Sequence, residues 1–167
     1  MKPVIAMSRL ELAAYIGAAF KNINVNVVLS GGSCVSIYSC ESYVSMDLDF
    51  VNAGFAKRSV ISAVMKMLGF HEENRYFCHP ETKFTIEFPP GPLGIGEENL
   101  PKVDEITTET GSFKLLSPTD CVKDRLSWYF HANDRECLRQ ASLVASTNDI
   151  DVINIEAWSK REGKHDV

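Results

Sequence analysis

The chain has 167 residues, of which 45% are hydrophobic and 23% are charged, and its formal net charge is −5. A chain of this length can bury a core as one domain, and its acidic balance offers no general attraction for nucleic acid or an anionic membrane surface. Its five cysteines include no C-x-x-C pair. The sequence therefore argues against zinc and disulfide frameworks and favours reduced thiols in a cytoplasmic protein.

The first half of the sequence predicts helices and strands in alternation. Ser8, followed three residues later by Glu11, is a capping-box pattern, which predicts that a helix begins here. The apolar part of this helix is too short to span a bilayer, so we expect no membrane partner. In chain order the elements are a helix over 8–21, a buried strand over 25–30 that ends at a Gly-Gly turn, a short helix from about Ser33, a strand over 46–51 and a helix over 55–69 that ends at Gly69.

The second half of the sequence predicts two hairpins followed only by helices. The hairpins lie over 75–88 and, about Gly111, over 103–116, and a loop rich in proline and glycine joins them over 89–101. Three helices follow, over 117–131, 135–145 and 152–161, the first of which opens with a Ser-Pro cap. We expect one α/β (α+β) domain over 1–167, with a mixed twisted sheet and flanking helices over about 1–116 and a helical tail over about 117–167.

Two aspartates, Asp47 and Asp49, lie two residues apart in the strand predicted over 46–51. Side chains two apart in a strand share a face, which predicts β-carbons roughly 6–7 Å apart, with Met46, Leu48 and Phe50 facing the core. Two carboxylates this close repel each other. A divalent cation such as Mg²⁺, which prefers oxygen ligands, would compensate their charge.

A Gly-Gly-Ser turn precedes this pair of aspartates. Gly31 and Gly32 allow a tight turn and the close approach of a ligand, and Ser33 lies at a predicted helix N-terminus, where free N–H groups favour an anion. A second Asp-x-Asp, at Asp149 and Asp151, has no such turn before it and opens a predicted helix, so we interpret that copy as structural. The first copy is interpreted as a phosphate cradle beside a metal site.

A third carboxylate would complete a two-metal site, and Glu87 is the preferred candidate. In the segment KFTIEF apolar residues alternate with polar ones, which predicts that Glu87 projects from the polar face between two buried aromatic residues. Glu87 is preferred because it alone is flanked by strongly apolar positions and belongs to the next central strand. The rivals for this position are Asp104, Glu105 and Glu109.

These residues together resemble the DNA polymerase β-type nucleotidyltransferase superfamily, in which a Gly-Gly-Ser turn and a short helix precede an Asp-x-Asp strand and a later acid. The segments LLSPTDCVKDRL and NDRECLRQA further resemble the small bacterial branch that includes the abortive-infection-type nucleotidyltransferase toxins. The resemblance covers roughly residues 25–145. It implies a metal-dependent enzyme that transfers a nucleoside monophosphate from a nucleoside triphosphate (NTP) to an acceptor hydroxyl.

The resemblance also implies roles for individual residues. The nucleotide phosphates would be bound by Gly31, Gly32, Ser33 and Lys123, with Arg125 as a weaker alternative to Lys123. Two Mg²⁺ ions, or Mn²⁺, would be held by Asp47, Asp49 and Glu87. Asp134 matches an acidic position of the toxin branch.

The acceptor and the partners stay open at this point. RNA, a protein and a small molecule are all compatible with the resemblance, and so are a cognate antitoxin or a second copy of the chain as partner. Two other functions are also compatible with the residues: a catalytically inactive nucleotide-binding module, and a protein-interaction domain whose acids only solubilise one face. Transfer that depends on NTP and a divalent metal distinguishes the enzyme from both.

Overall fold

The computed structural model describes residues 2–98 and 101–164, within which the chain forms a seven-stranded mixed sheet and six α-helices. After a 3₁₀ turn over Val4–Ala6, the helices are α1 (Arg9–Asn22), α2 (Gly31–Tyr38), α3 (Arg58–Met67), α4 (Pro118–Ala132), α5 (Arg135–Thr147) and α6 (Val152–Arg161). The strands are β1 (Val28–Ser30), β2 (Asp47–Val51), β3 (His71–Glu73), β4 (Tyr76–Cys78), β5 (Thr85–Glu87), β6 (Val103–Thr108) and β7 (Gly111–Leu116). This architecture confirms the predicted fold class.

The sheet places two short strands, β1 and β2, at its centre. The strand order is β3-β4-β5-β2-β1-β7-β6. Parallel pairs join β2 to β5 and β1 to β7, whereas the β4–β5 and β6–β7 pairs are the two predicted antiparallel hairpins. β3 was not predicted, because all three of its residues are exposed and lack the apolar alternation of a half-buried strand. The predicted loop over 89–101 joins β5 to β6, and its residues 99 and 100 lie outside the described residues.

Two helices begin at the caps that the sequence predicts. The Ser8 hydroxyl accepts a hydrogen bond from the N–H of Glu11 at 3.3 Å, and the Glu11 carboxylate accepts one from the N–H of Ser8 at 2.8 Å. These two bonds form the capping box of α1. At α4 the Ser117 hydroxyl accepts from the N–H of Asp120 at 3.2 Å, and Pro118 occupies the first turn.

A cluster of phenylalanines forms the centre of the core between the sheet and α1. The ring of Phe88 lies 5.0 Å from that of Phe20 on α1, 5.9 Å from that of Phe50 on β2 and 5.7 Å from that of Phe77 on β4. The four rings are buried. Aromatic packing therefore fixes α1 against one face of the central strands.

Alternation along β2 separates a core face from a polar face. Leu48 and Phe50 are fully buried, as the sequence predicts. The prediction for Met46 was wrong: its side chain is 47% exposed, because β2 begins only at Asp47 and Met46 belongs to the preceding loop. Asp47 and Asp49 are half-buried and point away from the phenylalanine cluster.

The C-terminal helices pack onto this core. Trp158 of α6 is fully buried, its ring stacks on Phe130 of α4 at 5.7 Å, and its indole N–H donates to the carbonyl oxygen of Ile95 at 3.2 Å. α5 packs against both α4 and α2. Among the helices in the described ranges, none combines the length and the apolar character that crossing a bilayer requires.

Candidate active site

Three of the predicted site residues lie at neighbouring positions of two adjacent parallel strands. Asp49 of β2 is in register with Glu87 of β5, and Asp47 is in register with Thr85. Because alternate residues of a strand share a face, the three carboxylates project from the same side of the sheet, opposite to the phenylalanine cluster. The structure therefore brings Asp47, Asp49 and Glu87 together, and we call this surface the carboxylate face.

The rival acids lie elsewhere. Asp104 and Glu105 belong to β6, which β1 and β7 separate from β2. Glu105 pairs with Lys21 at 2.5 Å, and Glu109, in the turn after β6, pairs with Lys2 at 3.0 Å. Their positions remove all three rivals from the carboxylate face.

Asp49 lies in an environment that is unfavourable to its negative charge. Burial, followed by the negative charges of Asp47 and Glu87, raises the pKa of Asp49 to about 7, although the positive charge of Arg125 opposes the rise. A carboxyl group with this pKa is partly protonated at neutral pH. The carboxylate face thus has more negative charge than its protein surroundings neutralise, which suits a bound cation.

The two glycines allow α2 to begin directly against the aspartates. Gly31, the first residue of α2, has a φ of +66°, and a β-carbon on it would lie 2.6 Å from Oδ2 of Asp49. A β-carbon on Gly32 would lie 3.1 Å from the hydroxyl oxygen of Ser45. At position 31, glycine is the residue type that tolerates both this backbone conformation and this close approach. The first turn of α2, whose N-cap residue Ser30 makes no side-chain capping bond, therefore lies beside the carboxylate face.

The Ser33 hydroxyl does not face the site as phosphate binding requires. Ser33 is fully buried, its hydroxyl donates to the carbonyl oxygen of Asp47, and it accepts from the Arg9 guanidinium at 3.2 Å. Arg9 also pairs with Glu41 at 3.0 Å and lies 4.7 Å from the centre of the Phe84 ring. These contacts join α1, α2 and β2, and they leave the main-chain N–H groups of the turn as the candidates for binding an anion.

Lys123 does not join the carboxylate face either. Its side chain is only 1% exposed, and its ammonium group pairs with Asp120 at 2.5 Å and with Glu98 at 2.7 Å. Lys123 therefore attaches α4 to the loop before β6. This placement gives no support to the predicted contact between Lys123 and the nucleotide phosphates, because two carboxylates away from β2 already pair with the ammonium group.

Arg125, the weaker alternative to Lys123, lies on the side of α4 that faces the site. Two residues along an α-helix correspond to a rotation of about 200°, so the two side chains point in nearly opposite directions. The Arg125 guanidinium donates two hydrogen bonds to the Asp124 carboxylate, at 2.5 and 3.0 Å. The charge of Arg125 lowers the pKa of Asp49, whereas the charge of its partner Asp124 raises it.

Two side chains that the sequence does not identify contact the carboxylates. The Ser45 hydroxyl donates to Oδ1 of Asp47, and Nε of Arg75 lies 3.3 Å from Oε1 of Glu87. Ser45 lies in the loop before β2 and Arg75 in the turn between β3 and β4. Neither belongs to a recognisable motif, since only the tertiary structure brings them to the site.

Two other acids serve as helix caps. The Asp134 carboxylate accepts from the N–H groups of Glu136 at 2.9 Å and Cys137 at 3.2 Å, at the start of α5. Asp151 accepts from the N–H of Asn154 at 2.9 Å, at the start of α6. The structural interpretation of the second Asp-x-Asp is confirmed by this cap.

The carboxylate face suits a hard divalent cation, but its side chains do not yet surround one point. Carboxylate oxygens are the ligands that Mg²⁺ prefers. In residues 2–98 and 101–164, no three acidic, histidine or cysteine side chains converge closely enough to hold a single ion. The Ser45 hydroxyl donates to Asp47, and Arg75 pairs with Glu87.

Several solved structures share this fold. The chain aligns with the crystal structure of ANT(2'')-Ia in complex with adenylyl-2''-tobramycin at a TM-score of 0.57, over 90% of this chain and 94% of that chain, with 14% identity. The chain aligns with the solution structure of the antibiotic-resistance factor ANT(2'')-Ia at a TM-score of 0.55, over 89% of this chain and 90% of that chain, with 15% identity. It also aligns with the crystal structure of an antigenic nucleotidyltransferase-like protein from Paracoccidioides brasiliensis at a TM-score of 0.60, over 81% of this chain and 75% of that chain, with 14% identity. No protein-family model and no curated protein matches the chain.

At 14–15% identity these similarities concern the fold and carry no assignment of substrate. They extend over most of this chain and over at least 75% of each of the other three. These similarities do not test the resemblance to the abortive-infection-type toxins, which stays a prediction. The chain shares a nucleotidyltransferase-like fold with these structures.

Proposed function

We propose that the protein transfers a nucleoside monophosphate from an NTP to an acceptor hydroxyl, with pyrophosphate as the leaving group. The observation that carries this proposal is the register of Asp49 with Glu87, with Asp47 on the same face and the first turn of α2 beside them. The similarity of the fold to nucleotidyltransferases supports the same reaction class.

The triphosphate is proposed to bind between the start of α2 and Arg125. The first N–H groups of a helix have no partner within the helix, and the helix dipole places partial positive charge there, which favours phosphate. Gly31 has no side chain to obstruct this approach. Arg125 adds a positive charge from α4, on the side that acts on Asp49. The chain thus offers donors and a cation for the phosphates beside the acids.

Asp47, Asp49 and Glu87 are proposed to hold Mg²⁺ or Mn²⁺. Two such ions, when bound, neutralise charge on the attacking and leaving oxygens of an in-line displacement. Glu87 lies in register with Asp49 on the neighbouring strand, and its carboxylate is proposed to accept the proton of the acceptor hydroxyl. Ser45 orients the Asp47 carboxylate by its hydrogen bond. Asp49 would be ionised when it holds a cation, since a bound cation would compensate the negative charges of Asp47 and Glu87.

A small hydroxylated molecule is the first acceptor to test. The ANT(2'')-Ia crystal structure contains adenylyl-2''-tobramycin. Its alignment with this protein covers 94% of the ANT(2'')-Ia chain and 90% of this chain. ATP is accordingly the first NTP to test. RNA and protein hydroxyl groups are the other acceptor classes, and an antitoxin or a second copy of the chain is the partner to seek by co-purification. We place the reaction in the cytoplasm, where NTPs and Mg²⁺ are both present.

The decisive experiment measures transfer of label from each α-phosphate-labelled NTP, with Mg²⁺ or Mn²⁺, to aminoglycosides, total RNA and protein. Asp47→Asn and Asp49→Asn should each abolish transfer, and Glu87→Gln should reduce it on the order of 100-fold or more, the scale for loss of a positioned acid–base group. Asp149→Asn is the matched control, since Asp149 is exposed and belongs to the second Asp-x-Asp.

The outcomes separate the three functions. Transfer that survives in both Asp47→Asn and Asp49→Asn contradicts the proposed site. NTP binding without transfer to any acceptor indicates the inactive nucleotide-binding module. An absence of both NTP binding and transfer leaves the protein-interaction domain.

A further inference from the structure

Arg75 brings a positive charge to the carboxylate face from the β3–β4 hairpin. Its Nε atom lies 3.3 Å from Oε1 of Glu87. The hairpin turns at Asn74 and Arg75, between the paired residues Glu73 and Tyr76, and Tyr76 is itself in register with Glu87 on β5. The pairing of β4 with β5 therefore places Arg75, the neighbour of Tyr76 in the sequence, close to Glu87.

The Arg75 side chain is oriented but not buried. Its guanidinium lies 4.9 Å from the centre of the Tyr76 ring and donates to the Tyr76 hydroxyl at 2.6 Å. Arg58 donates to the carbonyl oxygen of Arg75 at 3.2 Å and so holds the turn. The Arg75 side chain is 68% exposed, whereas that of Glu87 is 20% exposed. The guanidinium can therefore leave Glu87 without disturbing any core packing.

The position beside Glu87 is one that a divalent cation must share or take over. A carboxylate oxygen engaged by a guanidinium offers less of its charge to a metal ion, and the guanidinium and the metal ion repel each other at short range. The carboxylate face also carries the negative charges of Asp49, which is in register with Glu87, and of Asp47. The Arg75 guanidinium and a divalent cation would each neutralise part of this charge. Arg75 and the metal ion are thus alternatives for the same carboxylate.

We propose that Arg75 is a built-in counter-ion of the carboxylate face, which holds Glu87 while no metal is bound and is displaced when a divalent cation binds. This inference rests on the proposed function for the identity of the metal ligands. It goes beyond that function because it assigns control of metal affinity to the β3–β4 hairpin, which contributes no ligand. Arg75 is accordingly a positioning residue and not a catalytic one.

The first test is calorimetric titration of Mn²⁺ into the wild-type protein and into Arg75→Gln. The glutamine side chain can still lie on Tyr76 but carries no charge, so we expect Mn²⁺ to bind about five- to tenfold more tightly. Arg75→Lys keeps the positive charge, so its affinity for Mn²⁺ should stay within about twofold of the wild type. Arg139→Gln is the matched control: Arg139 is also an exposed arginine paired with a glutamate, Glu136 at 2.7 Å on α5, and its loss should not change the affinity.

The second test compares melting temperatures with and without metal. In chelator, Arg75→Gln should melt below the wild type, because three carboxylates lose a counter-ion. In saturating Mn²⁺ it should melt at or above the wild type, because the metal no longer displaces an arginine. A purely structural role of Arg75 would lower the melting temperature under both conditions. That result, or an unchanged affinity for Mn²⁺, would overturn the counter-ion role.

The counter-ion role and the proposed function fail in different ways. If Arg75→Gln gains affinity for Mn²⁺ but the wild type transfers no label, the proposed function falls and the counter-ion role stands. If the wild type transfers label but Arg75→Gln binds Mn²⁺ no more tightly, only the counter-ion role falls. If the wild type binds no Mn²⁺, both fall.

Discussion

Asp49 is the residue at which burial and charge conflict most strongly. Burial, and then repulsion from Asp47 and Glu87, raises its pKa from 3.8 to about 7. In the unfolded chain the group loses its proton near its ordinary pKa, whereas in the folded protein it holds the proton until about pH 7. Without metal, the folded protein therefore loses stability as the pH rises between these values, and the full loss persists above pH 7.

Asp49→Asn should remove this loss. In chelator at pH 8, the free energy of unfolding should rise by on the order of 1–3 kcal/mol relative to the wild type, and the difference should vanish near pH 3.5. Urea denaturation followed by circular dichroism at the two pH values measures both quantities. The control Asp149→Asn removes an exposed carboxylate and should change the free energy of unfolding at pH 8 by less than about 0.5 kcal/mol. A less stable Asp49→Asn at pH 8 would mean that the carboxylate has a favourable partner in the metal-free protein.

Gly31 combines a strained backbone with a close neighbour, and Gly163 separates the two effects. Both have left-handed backbones, with φ of +66° and +70°, but a β-carbon at 163 would meet nothing within 4 Å. Gly163→Ala should cost about 1 kcal/mol of stability from strain alone. Gly31→Ala should cost at least about 1 kcal/mol more, because the Asp49 carboxylate must move. Equal losses in thermal denaturation would contradict the close packing of α2 against β2.

Helix α1 contributes Arg9, a buried cation that contacts the elements on which the candidate site lies. Arg9 is 3% exposed, donates to the Ser33 hydroxyl, pairs with Glu41 and lies over the ring of Phe84. Through these contacts, α1 fixes the first turn of α2 relative to β2 and β5. Arg9, which is distant in the sequence from both, thus helps to fix the position of the glycine turn relative to the carboxylate face.

Arg9→Met should lower the free energy of unfolding by about 2–4 kcal/mol, since it removes one member of a buried hydrogen-bonded set. The matched control is Lys21→Met, also on α1, whose pair with Glu105 at 2.5 Å is exposed on both sides. Its loss should cost less than about 1 kcal/mol. Chemical denaturation of the two variants side by side provides the measurement. A cost for Arg9→Met no larger than that of the control would show that the contacts of Arg9 do not support the fold.

Local patterns in the sequence were sufficient to place the carboxylate face. Alternation along two strands put Asp49 and Glu87 on polar faces, because a period of two does not depend on the rest of the fold. The choice between Lys123 and Arg125 was not local: it depends on which side of α4 meets the sheet, and that is set by packing with α5 and β7. The orientation of Ser33 is also not local, since its hydroxyl accepts a hydrogen bond from Arg9 on another helix.

The fold as a whole was predictable only in part. The hairpins and helices follow from turn residues and caps, which act within a few positions. The parallel pairing of β1 with β7 joins residues more than 80 positions apart, and no local signal specifies it. β3 is a strand because β4 supplies its hydrogen-bond partners, not because His71–Glu73 favour one.

Over the whole molecule, the core of the sheet continues into the helical tail through Trp158. This side chain is fully buried against Phe130 and donates to Ile95 in the loop that follows β5. A single domain over 1–167 stays a prediction, and this contact supports it, because α6 and the loop stabilise each other. The tail is therefore expected to unfold together with the sheet.

Trp158→Ala should lower the free energy of unfolding by about 3–5 kcal/mol, the range for truncation of a large buried aromatic residue. The transition should stay single, with far-ultraviolet circular dichroism and the fluorescence of the remaining Trp128 reporting the same midpoint. Wild-type protein should likewise show coincident midpoints. A separate, earlier transition of the helices would contradict the prediction of one domain.

Both edges of the seven-stranded sheet expose acidic side chains to solvent. All three residues of β3, among them Glu72 and Glu73, are exposed at one edge, and Asp104 and Glu105 of β6 are exposed at the other. The unpaired N–H and C=O groups of an edge strand can hydrogen-bond to a strand of another molecule, and charged side chains oppose that association. We therefore expect Asp104 and Glu105 of β6, which rivalled Glu87 in the sequence, to oppose aggregation, so that the protein stays dispersed at neutral pH more readily than in acid.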